Sequence, residues 1–276
     1  LHLIKMSTKT SMKSNEKLFQ QFPEVSTQEW EAVIMKDLKG ADYTKKLIWQ
    51  TDEGFNVRPY YRAEDLVDIS YLDALPNEFP YTRGYKTDSN NWEIVQEITE
   101  KDPKKANEMA IYAIGKGANL IAFNATDITT ITQMESLLNG INLENHGVQF
   151  NHSKAYIPLV KLFIEYINAK GYNKENIIGA INFDAIVFAL KQGKFYRSKE
   201  EDLDQAFELI SLTKELKKFK VINVNGLALH NAGASIVQEL GYSLATANEY
   251  IAYLVAKGIP VQQVTRKLQL TLSVGT

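Results

Sequence analysis

The chain has 276 residues, 45% apolar and 23% charged, enough apolar surface to build a core and to exclude disorder throughout. Lys plus Arg number 31 against 33 Asp plus Glu, a net charge of −2 that carries no signature of a nucleic-acid partner. With no cysteine, disulfides, thiolate catalysis, Cys-ligated zinc and iron–sulfur clusters fall away, and the composition fits a reducing, cytoplasmic compartment.

No stretch approaches the ~18 apolar residues that a bilayer span needs, so no membrane is expected as a partner. Leu1–Ile4 is too short for a signal-peptide core. Met6 reads as the natural start. Met6–Lys17 lacks the Arg residues and the apolar face of a mitochondrial presequence. Residues 1–25 are therefore set apart as a leader. Ser26 and Glu29 have capping-box spacing, and Trp30, Val33, Ile34 and Leu38 follow at helical intervals up to Gly40. Leu47–Tyr61 predicts a hairpin turning at Glu53-Gly54, and a loop punctuated by Pro76, Pro80 and Gly84 follows. Residues 26–90 thus read as an amino-terminal arm. Its aromatics Trp30, Trp49, Phe55, Tyr60 and Tyr61 suit a subunit contact.

From Asn91 the pattern becomes regular. Strands are expected at Trp92–Thr99, Asn119–Thr126, Gly147–Ser153, Ile177–Asp184, Lys220–Leu227 and Lys267–Val274. Helices are expected at Lys104–Lys116, Ile131–Leu138, Ala155–Lys170, Lys199–Lys218 and Ala234–Lys257. In the fourth helix Ser198 and Glu201 form a capping box, and Lys217 and Lys218 match the dipole at its end. Alternation of strand and helix implies a parallel sheet covered by helices, either a (β/α) barrel or a doubly wound sheet.

Strand side chains alternate between faces. Ile121, Phe123, Ile181, Phe183, Ile222, Val224, Leu270 and Leu272 fall on one parity. Asn124, Ser153, Asn182, Asp184, Asn223, Asn225, Thr271 and Ser273 fall on the other. Doubly wound strands are apolar on both faces, and an ordinary barrel interior is filled by Val, Ile and Leu. A dry polar interior would cost roughly 1–3 kcal/mol for each unpaired group. The pattern therefore predicts a barrel with a polar tunnel, residues 91–276, the alternative being a one-sided sheet with a solvated face.

Gly115-Lys-Gly-Ala-Asn-Leu120 leads from helix to strand, the wrong order for a dinucleotide fingerprint, and reads as a helix stop. His152 and Asp184 could be imagined around a metal, and Asp127, Asp184 and Glu239 as an acid/base set, but no spacing singles them out. No metal site is expected.

The run Trp49-Gln-Thr-Asp-Glu-Gly-Phe-Asn-Val-Arg-Pro-Tyr-Tyr61, then Asp65-Leu66 and Phe79-Pro-Tyr-Thr-Arg-Gly84, resembles the opening of the adenosylcobalamin-dependent acyl-CoA mutases. Asn225-Gly226, Ala232-Gly-Ala234, Gln238-Glu239, Tyr242-Ser-Leu-Ala245 and Glu249-Tyr250 resemble the fifth barrel strand and following helix of that family. Within it, the similarity is to methylmalonyl-CoA mutase, and there to the small subunit of the two-chain bacterial form. The resemblance runs from about Ser26 onward. It implies an eight-stranded barrel threaded by acyl-CoA, adenosylcobalamin in the whole enzyme, and a large catalytic subunit as partner in a heterodimer.

Departures from the active pattern carry their own implication. Active chains of the family have Gly-Tyr-His after the fifth strand; here Gly226, Leu227 and Ala228 stand there, with His230 two residues on. Asn90 and Asn91 precede Trp92 where active chains have an Arg-bearing stretch ending in Pro, and Asn182-Phe-Asp184 replaces a Gln-bearing segment. Arg197 is no secure counterpart of the Arg that clamps the substrate carboxylate. The resemblance therefore implies a barrel fragment of a noncatalytic small subunit with six of eight strands, no catalytic residue and no cofactor of its own. Acyl-CoA in its tunnel stays open. The alternatives are an active acyl-CoA mutase chain, or a stand-alone barrel binding a small polar metabolite.

Overall fold

A computed structural model describes residue 19 and residues 21–89, 91–153 and 155–274. The expected leader segments Leu1–Ile4 and Met6–Lys17, together with Asn90, lie outside the described residues. The chain divides into two units, one ending at Asp73 and the other starting at Ala74. By its contacts the loop from Ala74 onward groups with the second unit.

In the first unit, α1 (Thr27–Asp37) begins at the expected capping box: Ser26 Oγ accepts from Glu29 N at 3.2 Å, and Glu29 Oε2 accepts from Ser26 N at 2.8 Å. A short helix not foreseen, α2 (Tyr43–Leu47), is capped by Asp42. The hairpin then forms as expected, β1 (Trp49–Gln50) antiparallel to β2 (Asn56–Val57). Its turn uses Gly54 at φ +86°, a conformation that favours glycine. Trp30 stacks on Tyr60 at 5.3 Å, with the Arg62 guanidinium 5.6 Å above the indole. Glu31 accepts from both the Tyr43 and Tyr60 hydroxyls, and this bond pushes Tyr60 up to about 12. No described residue of this unit is buried.

The second unit holds six parallel strands: β3 (Val95–Ile98), β4 (Leu120–Asn124), β5 (Gly147–His152), β6 (Gly179–Phe183), β7 (Phe219–Asn225) and β8 (Leu268–Thr271). They lie side by side in chain order. A doubly wound sheet reverses its order at a switch point, and this one does not. Same-handed crossovers keep every helix on one face. The second unit is therefore six consecutive units of a TIM-type (β/α) barrel, with β3 and β8 as its two edges among the described residues.

The helix layer comprises α3 (Pro103–Gly115), α4 (Ile131–Leu138), α5 (Tyr156–Lys170), α6 (Ala185–Gln192), α7 (Lys199–Leu212), α8 (Gly226–Asn231), α9 (Ile236–Ala256) and α10 (Val261–Lys267). Apolar strand residues meet it: Phe150 packs edge-on to Phe163 of α5, and Phe163 in turn meets Phe219. Phe123, Phe150, Phe183, Phe219 and Val224 are all at most 1% exposed. Full burial of such a side chain is worth about 1.5–3 kcal/mol.

Several boundaries differ from expectation; the first strand, expected from Trp92, starts at Val95. The strand expected to reach Leu227 stops at Asn225, and the next position admits only glycine, since a Cβ on Gly226 would meet Ser243 Oγ at 2.6 Å and the Thr271 carbonyl oxygen at 2.8 Å. Asn225 Oδ1 then accepts from Ala228 N at 3.2 Å and starts α8. The helix expected to reach Lys218 ends at Leu212, and the lysines after it occupy a turn. Lys267, expected to open a strand, closes α10, and β8 ends at Thr271.

Candidate functional site

The inner face of the sheet carries a chain of side-chain hydrogen bonds. Register aligns Glu97, Ala122, Gln149 and Ala180 across β3 to β6. Gln149 Nε2 donates to Asn151 Oδ1 and to Asn182 Oδ1, both at 2.9 Å, and Asn182 Nδ2 donates to Asn151 Oδ1 at 2.9 Å. Asn151 Nδ2 reaches over the small Ala122 to Glu97 Oε1 at 2.6 Å. A second link joins β7 to β8, where Thr271 Oγ1 donates to Asn223 Oδ1 at 2.7 Å. Asn223 is 2% exposed, whereas Asn124, Asn182, Asn225, Thr271 and Ser273 are half-buried.

The remaining expected residues cluster at the carboxyl ends of the strands and bond to the backbone. Asn124 Oδ1 accepts from Thr126 N at 3.1 Å and from its hydroxyl at 2.6 Å. Ser153, one residue past β5, accepts from Ala155 N at 3.1 Å. Ser273 N donates to Glu239 Oε1 at 2.6 Å, and Glu239 is 4% exposed. His230 Nδ1 stands 3.3 Å from Glu239 Oε2, outside hydrogen-bond geometry. On the opposite parity, Phe123, Phe183 and Val224 lie in the core with the helices; Leu272, expected with them, lies beyond β8 and is 46% exposed.

Asp184 is the centre of a tighter assembly. It caps α6, its Oδ1 accepting from Val187 N at 3.1 Å and from the Tyr250 hydroxyl at 3.2 Å, its Oδ2 from Asn225 N at 2.9 Å. Tyr250 Oη also accepts from Ala185 N at 2.7 Å and Ile186 N at 3.3 Å. Burial raises the Asp184 carboxyl above the usual carboxylate range against the pull of these donors. Burial likewise raises Tyr250, with the charge of Asp184 adding to it. Both carboxylate oxygens are committed to fold-determining donors, and His152 is exposed at the end of β5. No group of three His, Cys, Asp or Glu that could hold a metal occurs among the described residues.

Glu97 was not singled out from sequence, and Tyr250 entered only as part of the Glu249-Tyr250 motif. Glu97 lies in the first strand, where no polar face was assigned. Tyr250 lies on the buried stripe Thr246, Tyr250, Leu254 of α9, a spacing that marks a core position but not its partner 66 residues away.

The sequence pattern of the family described as methylmalonyl-CoA mutase matches residues 50–126 and 124–276. This chain belongs to the methylmalonyl-CoA mutase family. It is 33% identical, over 267 residues, to the methylmalonyl-CoA mutase small subunit of Porphyromonas gingivalis, covering 96% of this chain and 43% of that protein. It is 26% identical over 281 residues to methylmalonyl-CoA mutase of Rhizobium meliloti, covering 91% and 39%. Against the mitochondrial methylmalonyl-CoA mutase of Homo sapiens the identity is 27% over 302 residues, covering 100% and 40%. The chain spans less than half the length of these curated relatives. No described helix is long and apolar enough to cross a membrane.

Proposed function

We propose that this chain is barrel-forming sequence of a small, noncatalytic subunit of methylmalonyl-CoA mutase, which holds a large catalytic subunit in working shape during the isomerisation of methylmalonyl-CoA and succinyl-CoA. The observation that carries the reading is Ala228. It stands in the first turn of α8, at the position where the resemblance puts the His of active chains, and offers only a methyl group. His230 does not replace it, since its Nδ1 lies against the buried Glu239. The likeness to the P. gingivalis small subunit supports the same assignment.

In this reading adenosylcobalamin supplies the radical chemistry of the whole enzyme. The strand ends of this chain do not fit that centre: Asp184 is tied to α6, β7 and Tyr250, Asn225 to α8, and Ala228 brings no polar group. The cofactor is therefore assigned to the large subunit and no step is routed through these residues. What this chain contributes is a stiff scaffold. The inner Glu97–Asn151–Gln149–Asn182 network ties β3, β5 and β6 together, and the half-buried amides offer partners to an acyl-CoA amide chain. Further strands added at β3 and β8 would close the barrel. The arm, with Trp30, Trp49, Phe55, Tyr60 and Tyr61 around no core of its own, is the contact surface for the large subunit.

The test is turnover. This chain, purified alone and mixed with adenosylcobalamin and methylmalonyl-CoA, should yield no succinyl-CoA, and Ala228→His should not restore it. Turnover by the chain alone would overturn the noncatalytic assignment in favour of an active acyl-CoA mutase chain.

A further inference from the structure

A cavity of about 500 Å³ opens between the turn after α7 and helix α10, at the amino-terminal edges of β7 and β8 and away from the polar face described above. Four cationic side chains line it, Lys214, Lys217, Arg266 and Lys267, together with the amides of Gln262 and Gln263. No carboxylate does. Of the acids nearby, Glu175 pairs with Lys217 of this group, and Glu215 pairs with Lys174 at 2.6 Å. Lys214 and Arg266 make no side-chain ion pair among the described residues.

Lys267 lies behind this group and is 3% exposed. Its ammonium donates to three backbone carbonyls, Thr213 O at 2.7 Å, Leu216 O at 2.6 Å and Phe219 O at 3.1 Å. These dipoles satisfy its protons but bring no counter-charge. A buried cation without an opposite charge is costly, and proteins ordinarily pair it. The neighbour on β7 adds to the imbalance, since Lys220 Nζ reaches Arg266 O at 2.7 Å and is itself a cation.

We propose that this cavity binds a small phosphate-bearing dianion, whose charge completes the cluster of Lys214, Lys217, Arg266 and Lys267. Two free cationic arms at the wall can grip phosphate oxygens, the guanidinium in fork geometry and the ammonium as a point charge. The buried Lys267 supplies field from behind without touching the ligand. The charged groups on the elements around Lys267 are Lys214, Glu215, Lys217 and Lys218 in the turn after α7, Lys220 on β7 and Arg266 on α10. Glu215, the one acid among them, is paired with Lys174, so binding has a proton linkage. Burial, with Lys220 as the second cause, pulls Lys267 down to about 8. An anion in the cavity raises it again, and protons are taken up on binding near pH 8.

The test is calorimetric titration of the full chain with inorganic phosphate, mostly the dianion at pH 8, in two buffers of different ionisation enthalpy. A Lys214→Gln/Arg266→Gln variant, checked for native circular dichroism, is the control; both substitutions are at the wall and leave Lys267 in place. The expected result is saturable binding with net proton uptake, weakened at least tenfold in the variant and by added salt. Absence of saturable binding, equal affinity in the two proteins, or binding without proton uptake would overturn the proposal. Because no mutase activity is read, failure of this site and failure of the subunit assignment are separate outcomes.

Discussion

Removing one oxygen atom from Tyr250 should unsettle the junction of β6, β7, α6 and α9. In Tyr250→Phe the ring keeps its place in the core, so the transfer and cavity contributions are small. What is lost are three hydrogen bonds at one hydroxyl: the donation to Asp184 and the acceptances from Ala185 N and Ile186 N. Ala185 is wholly buried, so its N–H finds no water in exchange. A neutral bond contributes about 0.5–1.5 kcal/mol, a bond to a charged group about 1.5–3, and a stranded buried donor costs about 1–3. The contributions overlap, and a net loss of about 2–4 kcal/mol is expected. Urea unfolding followed by circular dichroism at helix wavelengths measures it. The tryptophans are unsuitable, since Trp30, Trp49 and Trp92 all precede the first strand of the sheet. A domain of this size shifts by about 2–4 °C per kcal/mol, so the midpoint of thermal unfolding should fall by roughly 5–15 °C. The loss should also depend on pH. With its folded-state value raised, Asp184 binds a proton more readily folded than unfolded, so its contribution falls as pH rises through the window above the unfolded carboxylate value. Without the phenol donor the carboxylate is less well held and the fall should steepen. A loss below 0.5 kcal/mol, on the scale of an ordinary surface change, would refute this reading of the junction.

Other substitutions probe separate parts of the molecule. Asn223→Leu strands the Thr271 hydroxyl and should cost about 1 kcal/mol, whereas Asn223→Leu/Thr271→Val removes both partners and should cost less than the sum of the two single changes; strict additivity in urea unfolding would show that the pair is not coupled. Lys267→Met leaves three carbonyls without their donor and should cost about 2–3 kcal/mol at pH 7. Because the folded-state value of Lys267 is lowered to about 8, the unfolded chain binds more protons between pH 8 and the ordinary lysine range; the wild type should gain stability with pH across that window, and the variant should lack this gain. Trp49→Ala, at a residue 59% exposed, should leave the chain folded yet weaken co-purification with the large subunit by about 2 kcal/mol or more, as seen in a binding titration; unchanged assembly would remove the arm from the interface.

How much of this was legible in the sequence follows from the range of the forces involved. All six strands stood at their observed places to within a few residues, because alternation between a helix-packed and a polar face is written locally in each strand. Ile131–Leu138 matched to the residue, where Thr130 and Gln133 make a capping box within one turn. What escaped was set by distant neighbours. Phe183-Asp-Ala-Ile-Val-Phe-Ala-Leu190 reads as one apolar run, yet Asp184 turns it from strand to helix with help from Tyr250 and Asn225, which lie 66 and 41 residues away. Gly226-Leu227 reads as the end of a strand, but the chain already turns into α8 under the Asn225 cap, and the closeness of Ser243 and Thr271 there admits only a glycine at 226. Lys267 had the look of a solvated strand end, but its partners are carbonyls 48 to 54 residues back.

The same distinction bears on the polar face. Parity identified which side chains share it, but parity alone could not tell whether water or protein satisfies them. The structure divides the residues. Asn223 is dry and paired with Thr271, whereas Asp184, tied to Tyr250, and Asn182 with its network partners Asn151 and Gln149 are half-buried. A continuous wet tunnel would leave all of these amides within reach of water. Here only Asn223 is shut off from water, and half-buried polar groups stand both on β5 and β6, at Asn151 and Asn182, and at the ends of β7 and β8, at Asn225 and Thr271. Strands added at the two sheet edges would not alter that division, since the Asn223–Thr271 link and the Asp184 assembly are each formed between strands and helices already paired.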